Sequence, residues 1–246
     1  MKIKSTTCLI ILLLVLIRQL AAQTNERIRI SQDLELVRIT ANAYMHVSYA
    51  VLPGYGRSSA NGLIFINEKK AFLFDTPWND SLTSKLVYYL ENTMKLKIEG
   101  FIPNHWHEDC MGGLIYIKSR GIKSYANQLT TDIAKKKNLP SADQGFRDSI
   151  KISLGNKVVM CYYFGPAHSI DNVVVWIPSE KILFPGCMCK SMDSGNLGNT
   201  ADGDVSEYRA TIDKVINRFC DAKIVVPGHG TPGGKELLLH TKELIP

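Results

Sequence analysis

Four times along this chain a short apolar run ends at glycine or proline and hands over to side chains that can bind a metal. Ile102-Pro103 leads into Asn104-His105-Trp106-His107-Glu108-Asp109-Cys110, and Tyr162-Tyr163-Phe164-Gly165-Pro166-Ala167 leads to His168. Ile182-Leu183-Phe184-Pro185-Gly186 leads to Cys187, and Ile224-Val225-Val226-Pro227-Gly228 leads to His229. Short β-branched and aromatic runs bounded by turn residues are strands. A fold that uses this pattern must bring four strand ends to one place. A lone histidine after a strand is more often an ordinary hydrogen-bonded residue than a ligand. Six candidate ligands on four similar turns are a set that chance produces poorly. His46 lies inside a strand pattern and His240 inside a helix pattern, so both read as structural.

Elsewhere, runs at 34–40, 44–50, 63–67 and 71–75 predict antiparallel strands. Asn79 or Asp80 caps a helix whose apolar residues Leu82, Leu86, Tyr89, Leu90 and Met94 recur at helical spacing. Further helices are expected at 112–120, 128–137, 207–219 and 235–243. Strands are expected at 98–102, 122–125, 149–153, 157–164, 172–177, 181–184 and 223–226. No repeat or low-complexity segment interrupts this alternation, which predicts one α/β domain with strands buried between helices on both faces. The Gly- and Ser-rich segment 49–61 reads as a hairpin connection with an apolar tip at Val51, Leu52, Pro53 and Tyr55, and such a tip needs a partner. Asp75 and Asp171 stand where a carboxylate could hold a ligand histidine or cap a local turn.

The N-terminus reads as an export signal. Lys2 and Lys4 precede an apolar run at 8–17, and Arg18 and Leu20-Ala21-Ala22 follow it, so cleavage is expected near Ala22. A helix crossing the bilayer takes roughly 20 apolar residues, more than this run supplies. Residues 1–22 are therefore expected to be removed and 23–246 to form the working domain, periplasmic and without a stable membrane anchor. The chain is 45% hydrophobic and 21% charged, which excludes disorder. Its net charge of +6 forms no basic block, and half of that excess belongs to the signal, so no nucleic-acid partner is expected. Five cysteines follow the signal, and their pairing is not readable from sequence.

Imidazole, carboxylate and thiolate together suit zinc. Six ligands are too many for one tetrahedral ion and too few to close two, and open coordination distinguishes a catalytic site from a structural one. Two metals sharing a hydroxide fit best. Zinc lowers the pKa of its water to about 7, which makes hydrolysis the natural reaction class.

The set His105-x-His107-x-Asp109, Gly165-Pro166-Ala167-His168, Gly186-Cys187-Met188-Cys189-Lys190, Leu197-Gly198-Asn199 and Pro227-Gly228-His229-Gly230 resembles the class B metallo-β-lactamases, subclass B1. The likeness runs from about residue 28 to the end. A ligand cysteine with a lysine three residues later separates that subclass from most of the superfold. Glyoxalase- and nuclease-like relatives place a histidine directly after the motif aspartate, where this chain has Cys110. The resemblance implies an αβ/βα four-layer sandwich, two mixed sheets flanked by helices, with metals at one edge. It implies two zinc ions per chain, one held by His105, His107 and His168 and the other by Asp109, Cys187 and His229. It implies zinc-dependent hydrolysis of the β-lactam amide of penicillins, cephalosporins and carbapenems, conferring antibiotic resistance, by a monomer. Asp109 and Asn199 take catalytic roles, Asp109 orienting the nucleophile and proton transfer and the Asn199 amide stabilising the developing oxyanion. Lys190, Asn199 and Tyr55 contact the substrate, Lys190 anchoring its carboxylate. Pro185, Thr200 and Gly203 depart from the subclass pattern without removing a ligand. Two other readings stay open. One is a periplasmic metallo-hydrolase of lactones, thioesters or phosphodiesters on the same fold, which Lys190 beside Cys187 argues against. The other is a zinc-binding protein without turnover, which the incomplete coordination argues against.

Overall fold

Most central strands of this chain are apolar on both faces, and they separate three cores. The structure is a computed structural model that describes residues 26–246, so the expected signal at 1–22 lies outside the described residues. The first sheet runs in chain order through β1 (Arg27–Ser31), β2 (Leu34–Arg38), β3 (Ala43–Leu52), β4 (Gly56–Asn67), β5 (Lys70–Phe74) and β6 (Lys97–Ile102). Only β5 and β6 pair parallel in it. The second sheet has the order β13 (Ile224–Pro227), β12 (Ile182–Gly186), β11 (Val173–Ile177), β10 (Lys157–Tyr163) and β9 (Ser149–Leu154), with β12 and β13 parallel. A small parallel pair, β7 (Tyr125–Asn127) and β8 (Gln144–Phe146), stands apart.

Side chains two apart share a face of a strand. Along β5, Phe72 and Phe74 join Phe184 and Val175 of the second sheet in one core, while Ala71 and Leu73 join a different one. Along β12, Ile182 and Phe184 enter the shared core and Leu183 the opposite one. The outer face of the first sheet is covered by α1 (Asp80–Tyr88), α2 (Glu108–Met111), α3 (Leu114–Ser119) and α4 (Gln128–Lys136), through Leu82, Leu86, Met111, Leu114, Ile117 and Ala134. The outer face of the second is covered by α5 (Val205–Arg218) and α6 (Glu236–Glu243), through Tyr208, Ile212, Val215, Leu237 and Leu238. These layers make the αβ/βα sandwich with two mixed sheets. The expectation of helices on both faces of a sheet is corrected, because each sheet has helices on one face and the other sheet on its second. Periodicity reports that a face is buried but not what covers it.

Element boundaries moved where local signals were weak. β1 and β8 were not expected, and the strand predicted at 122–125 forms at 125–127. The helix predicted at 112–120 forms as α3, and the short α2 before Gly112-Gly113 was not expected. Asn79 caps α1 by accepting the Leu82 N–H at 2.9 Å, and the helix continues past Tyr88 as a π-helical turn, Tyr89–Thr93. The segment 49–61 is largely paired strand rather than a loop, with Leu52 opposite Gly56 across a three-residue turn.

His46 is a structural residue. Fully buried on β3, it bonds through Nε2 to the Asp75 carbonyl at 3.0 Å, and its Nδ1 has no partner. Burial pushes its pKa down to about 4 from an ordinary 6.5. A base whose folded pKa is depressed contributes its full stability above the unfolded value and loses it as pH falls toward the folded one. This histidine is therefore expected to cost about 3 kcal/mol of stability between pH 6.5 and 4. Urea unfolding at stepped pH checks it, since His46→Gln should flatten the profile in that window and an unchanged slope would reject the assignment.

Candidate metal centre

The loops that carry the six residues leave the same edge of the sandwich, one after β6 and three after strands of the second sheet. Asn104 sews the two sheets together there. Its backbone N–H donates to the Asp75 carboxylate, its carbonyl accepts the Val173 N–H at 2.7 Å, and its side-chain amide donates to the Val173 carbonyl. Asp75 thus fixes the backbone beside His105 and touches no histidine ring through its carboxylate. Asp171 likewise accepts from Ser169 and Thr130 hydroxyls, bracing the turn after His168. On the Cys187 loop, Gly186 has φ +59 and packs so closely on Asn104 that a Cβ would stand 2.4 Å from its amide carbon. Glycine is required there both for the dihedral and for the contact.

These constraints bring the six side chains into two adjoining groups. His105 Nε2 and His107 Nδ1 lie 2.9 Å apart, and one ring nitrogen of His168 completes a set within 4.8 Å. In the second group Asp109 Oδ2 is 3.3 Å from Cys187 Sγ and 3.2 Å from His229 Nε2, and sulfur and imidazole are 3.3 Å apart. Asp109 Oδ1, 3.9 Å from His105 Nε2, joins the groups. The remaining ring nitrogens are mostly held from behind. His107 Nε2 faces Asp202 Oδ2 at 3.1 Å, His229 Nδ1 donates to the Ser59 carbonyl, and His105 Nδ1 lies 3.2 Å from Cys110 Sγ. His168 Nδ1 is buried with no protein partner.

The donor chemistry fits zinc. Zn–N near 2.0–2.1 Å and Zn–S near 2.3 Å place tetrahedral neighbours about 3.3–3.6 Å apart, close to the spacing of the second group. A hydrogen bond with Cys110 brings the Cys187 thiol down to about 6, against the opposing effect of burial. Burial pushes the Asp109 carboxyl up, but the His229 hydrogen bond and charge outweigh it and hold the group well below the usual carboxylate range. Burial pulls His229 down, yet the Cys187 and Asp109 charges raise it well above its ordinary value. Burial also lowers His105 to about 3 and His168 well below its ordinary value, so both rings are neutral. Two anions and two neutral imidazoles are the forms that bind metal, and the proton drawn onto His229 balances charge that a dication would balance better.

A cavity of about 530 Å³ opens over the two groups. Tyr55, Lys190 and Asn199 all line it. Tyr55 is 77% exposed at the tip of the β3–β4 hairpin. Lys190 is nearly buried, and its Nζ donates to the Cys187 carbonyl at 2.8 Å. Asn199 is exposed, and its side-chain oxygen accepts the Ala201 N–H at 3.1 Å. Asp202, Trp78, Trp106 and Glu108 also line the cavity and were not singled out from sequence. Glu108 and Trp106 lay inside the quoted motif. Asp202, in a turn before the α5 cap, had no local signal. The five cysteines of the described residues are all free, and no helix among those residues is long and apolar enough to cross a membrane.

Residues 55–229 match the family described as the metallo-beta-lactamase superfamily. The chain is 43% identical to the metallo-beta-lactamase type 2 of Bacteroides fragilis over 96% of its own length and 95% of that protein's. It is similar to the crystal structure of VMB-1, with a TM-score of 0.84 and 38% identity over 87% of this chain and 97% of that one. It is also similar to the metallo-β-lactamase FIM-1 from Pseudomonas aeruginosa, solved in a mono-zinc form, with a TM-score of 0.81 and 30% identity over 88% of this chain and 97% of that one.

Proposed function

The chain belongs to the metallo-β-lactamase superfamily and is a zinc-dependent β-lactam hydrolase, and we propose that the centre at the sandwich edge is where it opens the lactam ring. In this reading His105, His107 and His168 hold one zinc and Asp109, Cys187 and His229 a second. The observation that carries it is the second group, where a carboxylate, an imidazole and a thiol of lowered pKa stand at ligand spacing. The metals, when bound, supply Lewis acidity, acidifying water and polarising the scissile carbonyl.

The chain's own residues do the rest. Lys190 uses one of its three N–H donors on the Cys187 carbonyl, which leaves two for the carboxylate of the substrate. The Asn199 side chain has its oxygen engaged by Ala201, so its N–H donors are available to the lactam carbonyl oxygen as negative charge develops. Asp109 Oδ1, on the side of His105, orients the attacking water and later carries a proton toward the departing nitrogen. Tyr55 and Leu52 on the hairpin and Trp78 line the cavity and offer apolar surface to the ring. Penicillins, cephalosporins and carbapenems are the proposed substrates, the periplasm the proposed compartment and the monomer the proposed working form.

Lys190→Ala is expected to lower kcat/KM about 10- to 100-fold, the worth of a charge-assisted hydrogen bond, with kcat falling less. Steady-state rates on one cephalosporin check this, and an unchanged kcat/KM removes Lys190 from substrate binding. The test of the whole reading follows ring opening of a penicillin, a cephalosporin and a carbapenem by the purified protein before chelation, after it, and after zinc return. Activity that disappears and comes back is the expected result. Hydrolysis indifferent to chelation, or turnover of a lactone or phosphodiester with no β-lactam opened, would overturn it.

A further inference from the structure

Cys110 has no part in the reaction described above, yet it is 1% exposed and stands against the centre from inside the fold. His105 separates two neighbourhoods, with Nε2 toward His107 at 2.9 Å and Nδ1 toward Cys110 Sγ at 3.2 Å. One ligand atom each from His105, Asp109, Cys110 and Cys187 lies within 4.8 Å of the others, and all four residues are buried. This set has two sulfurs, whereas the group of Asp109, Cys187 and His229 has one. Thiolates favour soft ions, and a second sulfur strengthens that preference.

We propose that Cys110 and Cys187, with Asp109 and His105, form an inner site that takes a soft divalent ion of the cadmium class. Binding deprotonates a coordinating thiol, so the high pKa that burial gives Cys110 does not bar it. Cys187 and Asp109 belong to both sites, so an ion in the inner site excludes the second zinc and inhibits the enzyme. The proposal rests on the reading of Cys187 as a metal ligand.

The experiment titrates the zinc-free full-length protein with cadmium and records the ultraviolet thiolate-to-metal charge-transfer band, with Cys220→Ser as the common background to remove the exposed thiol. Cys110→Ser is expected to lose about half of the band per bound ion, since one of two sulfurs is gone, and to bind cadmium more weakly. A full-strength band in Cys110→Ser, with Cys187→Ser abolishing it, would mean one sulfur ligand and overturn the inner site while sparing the Cys187 assignment. A full-strength band in Cys187→Ser would instead remove the reading on which the proposal rests. Cadmium NMR of the protein without either substitution distinguishes a two-sulfur from a one-sulfur environment, so the question is decided even if Cys110→Ser fails to fold.

Discussion

Asp109→Ala is expected to reduce kcat/KM for β-lactam opening about a thousandfold, equivalent to roughly 4 kcal/mol of transition-state stabilisation. Asp109 reaches both groups of the centre. Its Oδ2 lies 3.2 Å from His229 and 3.3 Å from Cys187, while Oδ1 faces His105. Alanine deletes one proposed ligand of the second metal and takes from His229 one of the two anions that hold its proton. It also removes the proton carrier proposed for ring opening. On the proposed two-zinc reading, zinc content measured on the same sample should fall from two ions toward one, with the His105, His107 and His168 set retained. A variant that keeps both ions and works within about tenfold of the parent rejects the role assigned to Asp109.

The second large effect comes from a residue that performs no chemistry. A Cβ on Gly228 would stand 2.4 Å from Cys187 Sγ, 2.5 Å from the Cys187 nitrogen and 2.8 Å from its Cα. Two of those atoms are backbone and cannot swing away, so the loops after β12 and β13 must part. The Gly228 carbonyl also accepts the Asn61 N–H at 2.8 Å, and that bond ties the first sheet to the second. Gly228→Ala is expected to cost about 3 kcal/mol in stability, at the upper end of ordinary overpacking. It should also weaken zinc retention at the second group, because Cys187 and His229 lie on the two loops that separate. Urea unfolding and competition with a zinc chelator measure the two effects. Parental stability with parental zinc affinity would show that the contact has slack.

Much of the centre was legible because each candidate ligand follows a strand and a turn within a few residues, and that relation is local. The strands β5 and β12 were legible for the same reason, as short apolar runs ending at turn residues. The hairpin was misjudged because the polar, Gly- and Ser-rich stretch of β4 is held by its ladder to β3 rather than by buried side chains. Backbone hydrogen bonds leave no mark in composition. Asp202 was missed because it reaches His107 across 95 residues, and Ser59 reaches His229 across 170. No spacing rule covers such distances.

The amino-acid sequence alone determined the kinds of candidate ligand, the four strand ends that carry them, and hence the class of chemistry to expect, since residue type and a short flanking turn are enough to specify donor atoms on a rigid edge. Tertiary structure decided how those donors divide. It chose which ring nitrogen of His107 and His229 faces the centre, by supplying Asp202 and the Ser59 carbonyl for the other one. It set Cys110 against His105 and Cys187 on the inner side, and it stacked two sheets face to face where periodicity predicted helices. The reason is that burial and strand order are encoded by neighbours in sequence, whereas partners are selected by packing. Packing is a property of the two sheets together.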